Sequence, residues 1–252
     1  MGRNYMKTIE QLKNTVIQGD CLIEMKNIPD KSIDMILCDL PYGTTACKWD
    51  TVIPFEPLWE QYKRVIKDNG AIVLTASQPF TSALVMSNIK MFRYSLVWDK
   101  VNKYTGAFNA NKMPMKRHED ILVFYLKLPT YNPQFRKGVP YSVTRPKGKG
   151  EYVGGLGKSS KLLKSDGEKA YPGSVIRIEG QAHISNHPTQ KPVALFEYLI
   201  KTYTNEGDLV LDNAAGSGTT GIACKNLNRN YILIEKEPQY IEIINKRLSN
   251  NI

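Results

Sequence analysis

One short segment of the chain puts a carboxylate, a rigid ring and a flat aromatic ring side by side. The apolar run at residues 35–38 stops at Asp39-Leu40-Pro41-Tyr42-Gly43. A carboxylate accepts hydrogens, proline fixes its own backbone, and a tyrosine ring offers a face for stacking. Together they suit a flat object that carries hydrogen-bond donors. A second segment, Asp212-Asn213-Ala214-Ala215-Gly216-Ser217-Gly218-Thr219-Thr220, follows an apolar run and opens a helical pattern. Its glycines let a backbone approach a ligand closely, and a helix start favours negative groups. It is neither the G-x-G-x-x-G fingerprint nor G-x-x-x-x-G-K-[ST]. The next apolar run ends in Glu235, about where an acid takes ribose hydroxyls in nucleoside-binding folds. That pair fits an adenosine-containing cofactor better than a triphosphate.

Elements must place these groups. Short β-rich runs, NTVIQGD, SIDMILCDLPYG, AIVLTAS, YSLVWDK, EDILVFYLK, DLVLD and YILIEKE, alternate with amphipathic segments. The segment 54–70 predicts a helix with Leu58, Tyr62, Val65 and Ile66 on one face and Gly70 as its stop. A helix with Pro192 in its first turn turns Val193, Phe196, Leu199, Ile200 and Tyr203 inward, and a last one carries Ile241, Ile244 and Leu248. This alternation predicts an α/β fold with a doubly wound, mostly parallel, Rossmann-like sheet. Residues 129–190 lose the rhythm and hold nine of the 18 glycines. The expected organisation is a catalytic domain of residues 1–126 and 187–252, interrupted by a basic, loop-rich insertion at 127–186. One acid at a strand end is ordinarily a turn former or a helix cap. Asp20, Asp39, Asp212 and Glu235 fall at four strand ends, and in one sheet they would share one crevice.

Charge points to a partner. The net charge is +10, and residues 127–180 hold eleven Lys and Arg against four Asp and Glu. Five aromatic residues, Tyr131, Phe135, Tyr141, Tyr152 and Tyr171, are interleaved with them. A basic stretch alone is ordinarily a solvated loop. Rings among the cations make nucleic acid a candidate, since cations neutralise phosphates and rings stack on bases. The four cysteines form no C-x-x-C pair and the three histidines lie near none of them, so no metal site is expected. No apolar stretch approaches bilayer length and the start lacks a signal-peptide core, so a cytoplasmic protein is expected.

DLPYG, HPTQKP, DNAAGSGTT and IEKEPQY, in that order, resemble the S-adenosylmethionine-dependent DNA amino-methyltransferases of the permuted β group. The flanking text QGDCL, CKWD and RHEDILVF matches as well. Two positions depart from the family: Leu40 stands where proline is usual, and Asn213-Ala214 replaces a common Pro-Phe. The resemblance implies a catalytic turn Asp39, Leu40, Pro41 and Tyr42, in which Asp39 and the Leu40 carbonyl accept the two amino hydrogens of a flipped base and Tyr42 stacks on it. For S-adenosyl-L-methionine it implies Asp212, Gly216, Gly218 and Thr219 at the methionine end, with His187, Thr189, Gln190 and Lys191 closing over it. Glu235 would take the ribose hydroxyls and Asp20 and Cys21 the adenine; Asp39 and Ala214 complete the set. Cys21 reads equally well as a buried core thiol. Double-stranded DNA is the implied partner, contacted by Lys100, Lys103, Lys112, Lys116, Arg117, Arg136, Lys137, Arg145, Lys147 and Lys149. A homodimer and a separate restriction endonuclease are further candidate partners.

An acid at the first turn position leans by family habit towards adenine N6. Cytosine N4 methylation uses the same geometry, and a non-catalytic DNA-binding protein is the alternative of another class. Cytosine C5 chemistry needs a Pro-Cys pair, which is absent. Protein-glutamine and RNA methylases carry the Gly-rich turn first, and a dinucleotide oxidoreductase gives no reason for the basic insertion.

Overall fold

The computed structural model describes residues 8–45, 47, 50–145, 161–180 and 190–249. The chain opens with α1 (Ile9–Leu12), β1 (Thr15–Gln18), α2 (Cys21–Glu24) and β2 (Ile33–Cys38). There follow α3 (Phe55–Val65), β3 (Ile66–Ala76), α4 (Phe80–Ser87), β4 (Phe92–Asp99) and β5 (His118–Phe124). After β6 (Tyr141–Arg145), β7 (Lys161–Ser165) and β8 (Val175–Arg177) come α5 (Val193–Tyr203), β9 (Leu209–Asp212), α6 (Thr219–Asn226), β10 (Asn230–Glu235) and α7 (Pro238–Ser249).

Eight strands form one sheet in the order β1-β10-β9-β2-β3-β5-β4-β8. Only β5 runs antiparallel to its neighbours; the other pairings are parallel. The sheet is thus mostly parallel, as the alternation predicts. Side chains alternate across each strand, which sorts β2 between two cores. Ile36 and Cys38 pack with Leu58, Tyr62 and Val65 of α3, while Met35 and Leu37 pack with Leu195, Phe196, Leu199 and Ile200 of α5. Helices cover both faces, so β2 is buried from end to end but for half-buried Asp34. The strands β1 and β2, early in the chain, and β9 and β10, late in it, stand next to one another.

The end of α3 differs from expectation. The helix stops at Val65 and Ile66 already belongs to β3, which contains Gly70. A Cβ at Gly70 would lie 2.8 Å from the Asp34 carbonyl oxygen and 2.7 Å from Ile66 Cδ1. Glycine is needed there for close approach of β2, not to stop a helix. Helix α4 had no counterpart in the sequence pattern. Its buried residues are Phe80, Thr81 and Leu84, too few to mark a clear stripe.

A second compact unit spans Pro133–Gly173. Within it β6 and β7 pair antiparallel, Arg136 bridges Ala170, and the Phe135 and Tyr171 rings lie 5.0 Å apart. The unit is narrower than the expected 127–186. Asn132 binds the Thr204 carbonyl, Lys127 pairs with Asp68, and β8 hydrogen-bonds to β4. All three therefore belong to the larger unit.

Candidate active site

The carboxyl ends of β1, β10, β9 and β2 face one cavity of about 640 Å³, lined by Asp20, Glu235, Asp212 and Asp39 together with Leu40, Pro41 and Tyr42. Adjacent parallel strands deliver adjacent acids, which is why Asp20 and Glu235, at opposite ends of the chain, converge.

Asp39 follows directly on the last residue of β2, and its carboxylate is crowded. Oδ1 accepts from the Tyr42 hydroxyl at 2.7 Å and from the Thr75 hydroxyl of β3. Oδ2 accepts from Lys191 Nζ at 2.5 Å. Two carboxylate oxygens offer about four lone-pair sites, so one remains for a further donor. Leu40 is buried against the core and fixes the turn from below. The Tyr42 ring stacks on Phe80 at 5.2 Å, and the Lys191 ammonium lies 5.6 Å from its centre. Burial, then Asp39 and Glu119, push the Tyr42 hydroxyl well above its usual range, which keeps it a donor.

Lys191, which the resemblance places over the cofactor, lines the cavity, and its ammonium joins two carboxylates, Asp39 and, at 3.3 Å, Glu119. Burial works against this charge, but the two carboxylates outweigh it and raise its pKa. Glu119 also binds Lys100 Nζ at 2.5 Å. Burial would raise the Glu119 carboxyl, yet Lys191 and Lys100 together lower it. Lys100 is therefore buried in the cavity wall, not on the open surface expected of a phosphate contact. Glu119 lies in the RHEDILVF text and Asp50 in CKWD, and neither has a role at the level of sequence. Asp50 accepts from the backbone N–H groups of Gly43, Thr44 and Thr45 at 2.7–2.9 Å and so ties down the loop after the catalytic turn.

The Gly-rich turn is held from several sides. Glu235 accepts the Gly216 N–H at 2.7 Å and the Glu237 N–H at 2.9 Å. Burial raises its carboxyl pKa. Asp212 accepts from Thr220 and from the Ala214 N–H, and burial pushes its pKa up to about 6. Gly218 has φ +79° and no room for a side chain, since a Cβ would meet Ile244 at 3.0 Å. Gln190 accepts from Ser217, Thr219 donates to the Lys191 carbonyl, and Arg247 of α7 binds the Ser217 carbonyl. Asp20 caps α2 through Leu22 N–H. Burial pushes the Cys21 thiol up.

This wall fits a nucleoside that carries positive charge. Four acids meet there in a protein of net charge +10, an arrangement that repels a pyrophosphate and attracts a cation. Buried Asn213 accepts from the Tyr62 hydroxyl at Oδ1, while among the described residues its Nδ2 has no partner beyond the Cys21 thiol and is left as a donor. His187 and Thr189 lie outside the described residues, as do Lys147, Lys149 and the side chain of Arg145. Lys112, Arg136 and Lys137 are exposed. Lys116 reaches Ser77 and Arg117 pairs with Asp99 at 2.9 Å.

A doubly wound sheet with an acid-Leu-Pro-Tyr turn and an acid-lined cavity at its carboxyl edge is the arrangement of a Rossmann-like methyltransferase. Residues 33–246 match the DNA methylase family of N6/N4 methyltransferases, and the chain belongs to that family. It is 30% identical over 253 residues to the Type II methyltransferase M.HpaI of Haemophilus parainfluenzae, covering 93% of this chain and 74% of the relative. It is 26% identical to M.HinfI of Haemophilus influenzae, over 96% of this chain and 70% of the relative. A crystal structure of an M1.HpyAVI–SAM complex superposes with a TM-score of 0.62 at 26% identity, over 93% of this chain and 99% of that one. The cytosine-N4-specific PvuII methyltransferase reaches a TM-score of 0.68 at 16% identity and, at that distance, shares the fold.

Proposed function

We propose that the protein transfers a methyl group from S-adenosylmethionine to the N6 amino group of adenine in duplex DNA, on a base flipped out of the helix. The observation that carries this reading is the Asp39 carboxylate, fixed by three donors at the edge of the acid-lined cavity and keeping one acceptor site open. S-Adenosylmethionine, when bound, supplies an electrophilic methyl group. Glu235 and Asp20 would hold its nucleoside, and Asp212, Gly216, Gly218, Thr219 and Gln190 its amino-acid end. The net positive charge of the donor answers the acids of this wall.

An exocyclic amino group is a poor nucleophile because its lone pair is delocalised into the ring. Asp39 accepts one amino hydrogen and the Leu40 carbonyl the other, and these bonds favour the pyramidal geometry in which the lone pair is free to attack. The Asp39 carboxylate can take the proton after transfer. The stacking and hydrogen bonds of the pocket offset a flipping cost of a few kcal/mol. The Pro133–Gly173 unit would read the DNA sequence. The choice of adenine rests on the acid at position 39 and the family habit attached to it. As in Type II systems, a separate restriction endonuclease would act at the same sequence, in the cytoplasm where the DNA lies, and a homodimer is part of the same proposal.

The test is product analysis. DNA from cells expressing the protein is digested to nucleosides for mass spectrometry, and single-molecule sequencing locates the modified positions. N6-methyladenine at one recurring sequence is expected. N4-methylcytosine as the main product would overturn the base assignment, and the absence of both would overturn the activity.

A further inference from the structure

Between β4 and β5 the chain makes an excursion whose tip, among the described residues, hydrogen-bonds only within itself. Its neck is closed by the bridge between Thr105 and Lys116, two backbone hydrogen bonds of 2.8 and 2.9 Å, and below it Lys100 N–H binds the Arg117 carbonyl. The neck belongs to the cavity wall, since Lys100, Lys103 and Thr105 line the same cavity as Asp39. Beyond it the tip is folded on itself: Asn109 N–H binds the Gly106 carbonyl at 2.9 Å and Lys112 N–H the Asn109 carbonyl at 2.8 Å. Gly106 starts this turn at φ +89°, a conformation that side chains disfavour. The turn holds Phe108 entirely in solvent, at 102% exposure, with Met113 and Met115 also exposed. From Lys100 to Arg117 the chain carries five cations and no acid.

The turn's own backbone hydrogen bonds present Phe108 outward on a tip that also exposes Met113 and Met115, and several exposed apolar side chains together mark a contact surface. Lys100 and Arg117 are paired with Glu119 and Asp99, which leaves exposed Lys112 beside the ring at the tip. A cation beside a ring suits a polyanion, and apolar side chains of DNA-binding proteins wedge between base steps. We infer that Phe108 is a wedge that enters the base stack of duplex DNA next to the target nucleotide and holds the flipped state open. This rests on the proposed base-flipping methyl transfer and adds to it the residue that occupies the vacated stack.

The experiment uses the full chain and duplex oligonucleotides bearing the sequence located by the product test. One duplex has the normal pair at the target; the other has an abasic site opposite it, which removes most of the flipping cost. Phe108→Ala should lower kcat/KM on the normal duplex about 10-fold or more and leave it within about 2-fold of wild type on the abasic duplex, and Phe108→Trp should restore the normal duplex. Equal loss on both substrates would reduce Phe108 to a general DNA contact, and no loss would remove it from the reaction; either overturns the inference. A shift from dimer to monomer with Phe108→Ala in analytical ultracentrifugation would assign the ring to a second copy of the chain and overturn it too. A wild-type protein that methylates neither duplex marks failure of the underlying reading.

Discussion

Asp39 receives three donors from within the chain, and Tyr42 is one of them. As a stacking surface alone, Tyr42 would tolerate phenylalanine. Its hydroxyl, however, donates to the carboxylate that must accept the amino hydrogen, and a hydrogen bond to a charged group contributes about 1.5–3 kcal/mol. Tyr42→Phe is therefore expected to lower kcat about 10-fold or more with S-adenosylmethionine affinity unchanged, whereas Asp39→Ala should abolish turnover and keep both folding and DNA binding. Single-turnover methylation beside calorimetric cofactor titration checks both, and a Phe variant at full speed would restrict Tyr42 to stacking. Asp212 yields a pH prediction. Burial raises its pKa to about 6 from an ordinary carboxylate value. The fold thus favours the neutral acid, and the stability present below the ordinary value is lost as pH rises through about 6. One pKa unit corresponds to about 1.4 kcal/mol, so the loss is about 3 kcal/mol. Urea midpoints of Asp212→Asn between pH 4.5 and 7.5 should lack this decline, and parallel curves for the variant and wild type would refute the assignment.

Asp50 acts on an element, not on the substrate. Three backbone N–H groups of the loop after the catalytic turn converge on one carboxylate, and burial, which alone would raise its pKa, is outweighed by these bonds, so the pKa is lowered. Without that clamp the loop that lines the cavity next to Tyr42 loses its only common anchor among the described residues. Asp50→Ala should reduce kcat about 10-fold and leave cofactor affinity within about 2-fold, with Asp50→Asn intermediate; initial rates at saturating cofactor check this, and an unchanged kcat would make Asp50 a passive turn residue. The same element shows what the sequence could and could not disclose. The strands and the four acids at their ends were legible because period-2 apolar runs and strand-end acids are local signals. Thr75, Glu119 and Arg247 were not, because their roles arise where separate strands and helices meet. Gly70 misled for the same reason: its neighbour is Asp34 on the next strand, and only pairing reveals that.

For the whole molecule, charge separates two tasks. The cavity wall gathers Asp20, Asp39, Asp212 and Glu235, while the chain as a whole carries +10. Lys100, Lys103 and Lys191 line that cavity as well, so the exposed cations are the ones free to meet a polyanion: Lys112 on the excursion between β4 and β5, and Arg136, Lys137 and Lys169 on the Pro133–Gly173 unit. Each phosphate neutralised on duplex DNA contributes about 0.9 to the slope of log affinity against log salt. Lys112→Ala is thus expected to flatten that slope by about 1, and the triple change Arg136→Ala, Lys137→Ala, Lys169→Ala by about 2–3. Neither should alter S-adenosylmethionine affinity, because the acids that answer the donor's charge are untouched. Fluorescence anisotropy on a labelled duplex between about 50 and 200 mM salt measures both slopes. If the triple variant keeps the wild-type slope, the Pro133–Gly173 unit does not meet the phosphates, and sequence reading has to come from the larger unit alone.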